Sequence, residues 1–305
     1  MSGSKLSERV VRRSPSRGPG SPDVWGLYEP DTGSVQYVCA DPATRRAALI
    51  DVVWNYDPRH GRLETGSLEQ ALDLVAREGL EVEWVLDTHP HADHVMASAE
   101  LKARTGAPAG IGEKVRDIAR IWEGIYHAPG AFDPERDFDR LFADGERFRV
   151  GGIEARAMLS PGHTLGSVTY VVGDAAFVHD TLMHPDAGTS RADFPGGDAR
   201  ALWDSIRAIL ALPEETRLFV GHDYGTEERD EPMWEATVAE HRARNVHVRD
   251  GADRDAWIAR REARDRTLPL PDRMLAALQM NLRGGRLPPA EEDGRHYLKI
   301  PVNRF

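Results

Sequence analysis

The chain has 305 residues, 40% of them hydrophobic, which is enough to build one large domain or two small ones. Lys and Arg total 39 and Asp and Glu total 50, so the formal net charge is −11, and a chain this acidic disfavours a broad nucleic-acid-binding surface. The single cysteine, Cys39, excludes an intrachain disulfide and suits a small buried apolar position in a strand.

Composition divides the chain into a polar tail and a folded domain. Residues 1–22 are rich in Ser, Arg, Gly and Pro, which predicts a disordered tail. Residues 23–305 form the predicted domain, with a helical extension from about residue 232. No apolar run approaches the length of a membrane span, and the first residues lack the apolar segment of a secretory signal. We therefore expect a cytoplasmic protein that does not contact a membrane.

The first part of the domain predicts a hairpin followed by a helix. Two strand candidates, 35–39 and 47–53, flank a turn-prone stretch. Apolar residues then recur at helical spacing over 67–77, where Ser67 and Gln70 have the spacing of a capping box.

Four potential metal ligands follow within six residues. An apolar strand-like run over 82–87 leads into Thr88–His94, and residues 95–101 resemble the first turns of a helix. The spacing His-x-His-x-Asp-His is formed by His89, His91, Asp93 and His94. Imidazole and carboxylate groups suit Zn, Fe or Mn, and a loop between a strand and a helix can direct them into a cleft.

The remaining elements alternate between helices and short strands. A helix is predicted over 113–122, and the irregular stretch 124–143 is interpreted as a connection rather than as a lid. The pattern then predicts strands over 147–150, 153–159, 168–172 and 175–178, a helix over about 198–210, and a strand over 218–220. Such an order favours packed sheets with helices outside.

Three further polar residues each lie at the end of an apolar strand-like run. His163 lies in a Pro-Gly turn, Asp180 just past a strand, and His222 after Gly221. Singly, each is weak evidence for a ligand. In this order after the first cluster, the motifs resemble the metallo-β-lactamase superfamily over roughly residues 23–305. That resemblance implies an α/β fold, an αββα sandwich of two related halves with a helical C-terminal extension.

The same resemblance implies two adjoining metal sites. One would be built from His89, His91, His163 and Asp180. The other would be built from Asp93, His94, Asp180 and His222, so that Asp180 could bridge two ions.

A narrower resemblance, to persulfide dioxygenases, rests on segments later in the chain. These segments are Gly188–Asp198 with its Arg-x-Asp-Phe core, His222-Asp223-Tyr224, Asn245 and Asn281–Gly284. It implies one Fe(II) per chain, held by His89, His163 and Asp180, where glutathione persulfide and O₂ give sulfite and glutathione. The other ligand types would then orient ligands and water.

The resemblance also assigns roles around the ion. Asp93, His94 and Tyr224 are the candidate catalytic residues, and Tyr224 could donate a hydrogen bond to substrate or oxygen. Arg191 and Arg283 could each bind a substrate carboxylate, although each could instead form a structural salt bridge. A homodimer is expected from the resemblance alone.

Three alternatives remain open at this point. The seven ligand types also permit a thioester hydrolase of the glyoxalase II type, with two Zn or mixed metals and a bridging hydroxide. A non-catalytic sulfur-binding or regulatory protein would be expected to lack a ligand, and none is missing. A nuclease is disfavoured by the acidity and by the lack of a basic stripe.

Overall fold

The structure is a computed structural model that describes residues 8–305 and contains sixteen β-strands and eight α-helices in that range. The strands are β1 (Val10–Ser14), β2 (Asp23–Glu29), β3 (Ser34–Ala40), β4 (Arg46–Ile50), β5 (Val53–Asp57), β6 (Arg62–Glu64), β7 (Glu81–Leu86), β8 (Val95–Met96), β9 (Ala109–Gly112), β10 (Arg140–Phe142), β11 (Arg147–Val150), β12 (Ile153–Leu159), β13 (Val168–Val172), β14 (Ala175–His179), β15 (Arg217–Val220) and β16 (Glu235–Thr237). The helices are α1 (Gly66–Arg77), α2 (Ser98–Thr105), α3 (Val115–Tyr126), α4 (Pro134–Asp137), α5 (Ala199–Ile209), α6 (Val238–Arg244), α7 (Arg254–Asp265) and α8 (Met274–Asn281).

Two large sheets of similar design form the centre of the molecule. The first has the order β1-β2-β3-β4-β7-β9-β10, and the second has the order β11-β12-β13-β14-β15-β16. Each begins with an antiparallel meander and then adds a parallel strand, β7 beside β4 in one sheet and β15 beside β14 in the other. A small third sheet pairs β6, β5 and β8. The predicted two related halves are therefore present.

Alternating side chains on the central strands separate the layers. Along β3, Val35 and Tyr37 pack into the core shared by the two sheets, whereas Val38 packs against the helical side. Leu68 of α1 belongs to that helical side. Trp203 of α5 packs on the second sheet. Because successive side chains of a strand point to opposite faces, both faces of the first sheet are apolar and covered. The predicted αββα sandwich is confirmed.

The predicted tail is ordered where the structure describes it, so that prediction is wrong for residues 8–22. β1 pairs in antiparallel register with β2. The fully buried guanidinium of Arg217 donates to Ser14 Oγ at 2.8 Å, to Pro22 O at 2.9 Å and to Asp174 Oδ1 at 2.8 Å. A buried cation needs such acceptors, and this long-range demand orders a segment whose composition is typical of disorder. Residues 1–7 lie outside the described residues.

We expect removal of residues 1–15 to lower the free energy of unfolding by about 2 kcal/mol or more, because it takes β1 and an acceptor from buried Arg217. Urea unfolding of this variant, compared with a variant lacking only residues 1–7, measures the effect. Equal unfolding free energies for the two variants would contradict the role assigned to β1.

Other local predictions are corrected in detail. The helix predicted over 67–77 begins at Gly66 after Thr65, whose side chain forms no cap hydrogen bond. Ser67 N instead donates to Asn55 Oδ1 of β5 at 2.8 Å, so the Ser67/Gln70 capping box is wrong. The stretch 124–143 contains α4 and the edge strand β10 as well as irregular backbone. The predicted helical extension contains the short strand β16 in addition to its helices. Within residues 8–305, no helix is both long and apolar enough to cross a bilayer.

Candidate metal centre

The predicted ligands converge because four loops leave the sheets at one edge. The Thr88–His94 loop follows β7, His163 lies in the loop after β12, and Asp180 and His222 follow the parallel neighbours β14 and β15. The carboxyl ends of parallel strands meet at the same edge of a sheet. Hydrogen bonds from Val168 N to Thr88 O, at 2.9 Å, and from Tyr170 Oη to Asp87 O, at 2.9 Å, join the two sheets beside these loops.

Three of the predicted ligands face a common point. Asp180 Oδ2 lies 3.7 Å from His89 Nε2 and 3.6 Å from His163 Nε2. Ligand atoms bound at about 2.1 Å from one ion are roughly 3–3.5 Å apart, so this spacing is close to that of a coordination site. All three residues are buried. The set of two histidines and one carboxylate predicted for a single ion is therefore present as a group.

The other ligand types form two adjoining groups, which differ from the predicted sets. His91 groups with Asp93 and His94 rather than with the triad, and its Nε2 atom lies 3.2 Å from Asp51 Oδ1. His222 groups with Asp93 and Asp180: its Nδ1 donates to Asp180 Oδ1 at 2.6 Å, and its Nε2 lies 2.6 Å from Asp93 Oδ2.

Unsatisfied ring nitrogens support a bound cation at this position. His89 Nε2 and both ring nitrogens of His94 are buried and make no hydrogen bond within the described residues. A buried polar atom without a partner costs free energy, so several such atoms in one cluster indicate that another group binds them. Neutral imidazoles and carboxylates are suitable donors for a transition-metal ion, and the residues therefore fit one.

Local electrostatics keep the triad in the protonation states that a metal ion requires. Burial, followed by the charge of neighbouring His91, lowers the pKa of His89 well below its usual value, and burial also lowers the pKa of His163. Burial favours neutral Asp180, but His222 and then His163 hold the pKa of this carboxyl below its usual value. Two neutral imidazoles and one carboxylate result.

His163 is oriented by a loop that α7 holds in place. His163 Nδ1 donates to Arg191 O at 2.8 Å, which directs Nε2 towards Asp180. Ala192 N in turn donates to Asp265 Oδ2 at 2.8 Å. The buried guanidinium of Arg261 binds Asp265 and donates to Thr189 O at 3.2 Å. The Arg261–Asp265 pair of α7 therefore fixes the backbone that sets the tautomer and direction of a ligand.

We expect Asp265→Asn to weaken metal affinity by about 10- to 100-fold, the effect typical of losing a group that orients a ligand. The amide can still accept from Ala192 N, but it no longer neutralises Arg261. Competition with a chromophoric chelator measures the affinity. Glu262→Gln is the matched control, since Glu262 lies on the same helix as Asp265 but pairs with exposed Arg200 of α5. Equal affinities for both variants would contradict this role.

The histidine loop is held by two groups that sequence patterns did not single out as supports. Asp51 accepts from Thr88 N and Thr88 Oγ1, both at 2.8 Å. Asn281, at the end of α8, donates to His91 O at 2.7 Å and to His94 O at 2.8 Å. Asp51 directly follows buried β4, just as Asp180 directly follows β14. A search for polar residues at the ends of apolar strand-like runs could therefore have identified Asp51.

A cavity of about 560 Å³ opens onto the triad side of the cluster. Asp93, His163, Asp180 and His222 form part of its wall, together with Tyr224. The Tyr224 ring stacks on His222 with centroids 5.8 Å apart, and the residue is 51% exposed. Tyr224 therefore lines the cavity beside the cluster, and its contact with substrate stays a prediction.

The two arginines predicted to bind substrate have different environments. Arg191 lines the cavity, but its guanidinium binds both carboxylate oxygens of Asp193, at 2.6 and 2.8 Å, so the structural salt bridge is formed. Arg283 does not line the cavity. Its side chain is buried, donates to Gln279 O and lies over the ring of Phe132, 4.6 Å from the centroid. The prediction that Arg283 binds substrate is wrong, because packing of the C-terminal extension buries it.

Sequence reasoning missed most of the cavity wall supplied by the C-terminal extension. Trp257, Arg260, Arg261 and Arg264 of α7 line the cavity, as does His247. The three arginines follow Trp257 by three, four and seven residues, which places all four side chains on one face of α7. No local pattern in the sequence indicates what that face contacts.

Comparison with known proteins places the chain in the same superfamily that the sequence motifs resemble. The model of the metallo-beta-lactamase superfamily matches residues 32–222. A beta-lactamase hydrolase-like protein of Xylella fastidiosa is 54% identical over 283 residues, which are 93% of this chain but only 65% of that protein. The chain thus spans less than two thirds of that relative's length.

Relatives of similar length to this chain have different names. Glyoxylase B2 of Dictyostelium discoideum is 39% identical over 92% of this chain and 96% of its own length. The mitochondrial persulfide dioxygenase ETHE1 of Homo sapiens is 29% identical over 91% of this chain and 95% of its own. The crystal structure of ETHE1 from Myxococcus xanthus superposes with a TM-score of 0.68 at 28% identity, covering 91% of this chain and all of that one (100%).

Proposed function

The chain belongs to the metallo-β-lactamase superfamily; from this premise we propose that it is an enzyme, a non-heme iron persulfide dioxygenase. The proposal rests on one observation, the buried triad of His89, His163 and Asp180 that opens onto a cavity. Two histidines and one carboxylate leave coordination positions free, which is the arrangement typical of Fe(II) oxygenases. The similarity to ETHE1 proteins supports it.

The proposed reaction converts a persulfide, O₂ and water into a thiol, sulfite and two protons. The S–S bond breaks, the outer sulfur loses four electrons, and O₂ accepts them. Glutathione persulfide is the proposed substrate. His89, His163 and Asp180 would hold a ferrous ion, which would supply the redox-active centre for this chemistry.

Neighbouring groups orient the predicted metal ligands and set their charge. Arg191 O fixes the direction of His163, and His222 holds Asp180 Oδ1 so that Oδ2 faces the two imidazoles. Burial disfavours the imidazolium of His222, but the carboxylates of Asp180 and then Asp93 raise its pKa well above the usual value. A charged His222 therefore keeps both carboxylates ionised, and Tyr224 lines the cavity beside them.

A second candidate is hydrolysis of a glutathione thioester on two metal ions. The two adjoining groups that contain Asp93 favour it, because they offer enough donors for a second ion next to Asp180. The similarity to Glyoxylase B2 also supports this candidate.

Oxygen consumption separates the two candidates. Iron-loaded protein with glutathione persulfide should consume O₂ and release about one sulfite per O₂, the ratio required by the balanced reaction. The same preparation is assayed for hydrolysis of S-lactoylglutathione. Thioester hydrolysis without O₂ uptake would reject the dioxygenase and support the hydrolase.

A further inference from the structure

Two arginines that have no acidic partner among residues 8–305 border the cavity. Arg260 and Arg264 belong to α7, line the cavity and are exposed. Neither forms an ion pair with any of residues 8–305 in the structure, although the chain as a whole carries a formal charge of −11. An uncompensated local positive charge on an acidic protein therefore lies at the wall of the proposed active site.

The other two arginines of this wall are already neutralised. Arg191 binds both carboxylate oxygens of Asp193, and Arg261 binds Asp265. Each of these pairs leaves little charge for a ligand, and the Arg261–Asp265 pair is buried. On the side of the cavity formed by α7, an anionic ligand would therefore be attracted chiefly by Arg260 and Arg264.

The helical spacing of α7 places Arg260 and Arg264 on one face of the helix. Trp257, Arg260, Arg261 and Arg264 are separated by three, four and seven residues, and all of them line the cavity. Like charges four residues apart on a helix repel each other and destabilise it. An anion bound between Arg260 and Arg264 would relieve this repulsion.

The environment of His247 supports a positive potential at this wall. His247 lines the cavity and accepts a hydrogen bond from Thr189 N at 3.1 Å. Burial, followed by the charges of Arg261 and Arg260, lowers its pKa. The imidazole is therefore neutral at physiological pH and adds no competing charge, while the field of Arg260 reaches into the cavity.

We propose that Arg260 and Arg264 bind an anionic group, a carboxylate or a phosphate, at the end of the substrate remote from its reacting sulfur. The assignment rests on the proposed function, because it takes the triad as the position of that sulfur. Arginine suits this task, since its planar fork forms two charge-assisted hydrogen bonds with either anion. The substrate class is then an anionic thiol derivative, and a neutral thiol derivative would be a poor substrate.

Binding of unreactive ligands tests this assignment without any turnover. Isothermal titration of metal-loaded protein with S-methylglutathione, which carries carboxylates, and with S-methyl-coenzyme A, which carries phosphates, identifies the anion. We expect Arg260→Gln and Arg264→Gln each to weaken binding of the preferred ligand by about tenfold, as for the loss of one charge-assisted hydrogen bond. If S-methylglutathione is preferred, its glycyl amide should bind the native protein as weakly as the parent ligand binds the double variant.

Arg266→Gln is the matched control, because Arg266 is exposed just after α7 and does not line the cavity. It should leave affinity unchanged. Unchanged affinity in the double variant, or no binding of either ligand by native protein, would overturn the anion site.

Steady-state kinetics separate failure of this assignment from failure of the proposed reaction. If persulfide oxidation proceeds and the double variant keeps the native KM, the anion site is wrong and the dioxygenase stands. If ligand binding is lost in the double variant but no O₂ is consumed by native protein, the anion site stands and the reaction class is wrong. A raised KM with kcat little changed supports both.

Discussion

Asp180→Ala should leave the protein folded but without bound metal, and persulfide-dependent O₂ uptake should fall by at least about a thousandfold. The substitution removes the carboxylate that lies 3.7 Å from His89 Nε2 and 3.6 Å from His163 Nε2. Two neutral imidazoles then remain, and they cannot offset the charge of a divalent ion. Metal analysis after anaerobic purification and far-UV circular dichroism measure the two effects.

Asp93→Ala is the control for this substitution. Asp93 lies 2.6 Å from His222 Nε2 and lines the same cavity, but it is not part of the triad. Under the mononuclear proposal it should retain about one iron per chain with reduced activity. Native metal content in the Asp180 variant would show that the triad is not the binding site, and loss of one of two ions in the Asp93 variant would support the binuclear hydrolase.

Removing the metal with a chelator under anaerobic conditions should abolish O₂ uptake, and adding Fe(II) should restore it. Zn(II) should occupy the same ligands without restoring O₂ uptake, because zinc undergoes no redox change. The oxygen electrode measures this difference directly. Thioester hydrolysis, assayed on the same samples, is the internal comparison.

Two outcomes of this metal exchange would contradict the proposal. Zinc-loaded protein that consumes O₂ with persulfide would exclude the assigned redox role of the ion. Full thioester hydrolysis by protein loaded with two zinc ions, together with no oxygenase activity after iron loading, would favour the second candidate.

Much of the fold was predictable because its elements have simple local patterns. The hairpin of β3 and β4, and the strands β11 to β14, follow from apolar runs separated by turn residues. Ligand positions were also accessible, since His163, Asp180 and His222 each follow an apolar run that becomes a buried strand. The superfamily resemblance then supplied the arrangement of the sheets.

The errors arose where distant segments meet. Residues 8–22 have a composition typical of disorder, yet β1 is ordered by pairing with β2 and by the demand of Arg217 for acceptors. Arg283 has the residue type expected of a carboxylate-binding group, but packing of the extension turns it towards Phe132.

By itself, the sequence determined the order and chemical type of the metal-binding groups, because a strand end is recognisable from the residues beside it. Only the tertiary structure decided that His89, His163 and Asp180 form one group while His91 faces Asp51. It also decided that Arg191 is neutralised by Asp193 and that Arg260 and Arg264 have no ion-pair partner in the described part of the chain. The physical reason is that burial leaves a local periodic signal, whereas the partner of a charged or coordinating atom is set by packing between segments far apart in the chain.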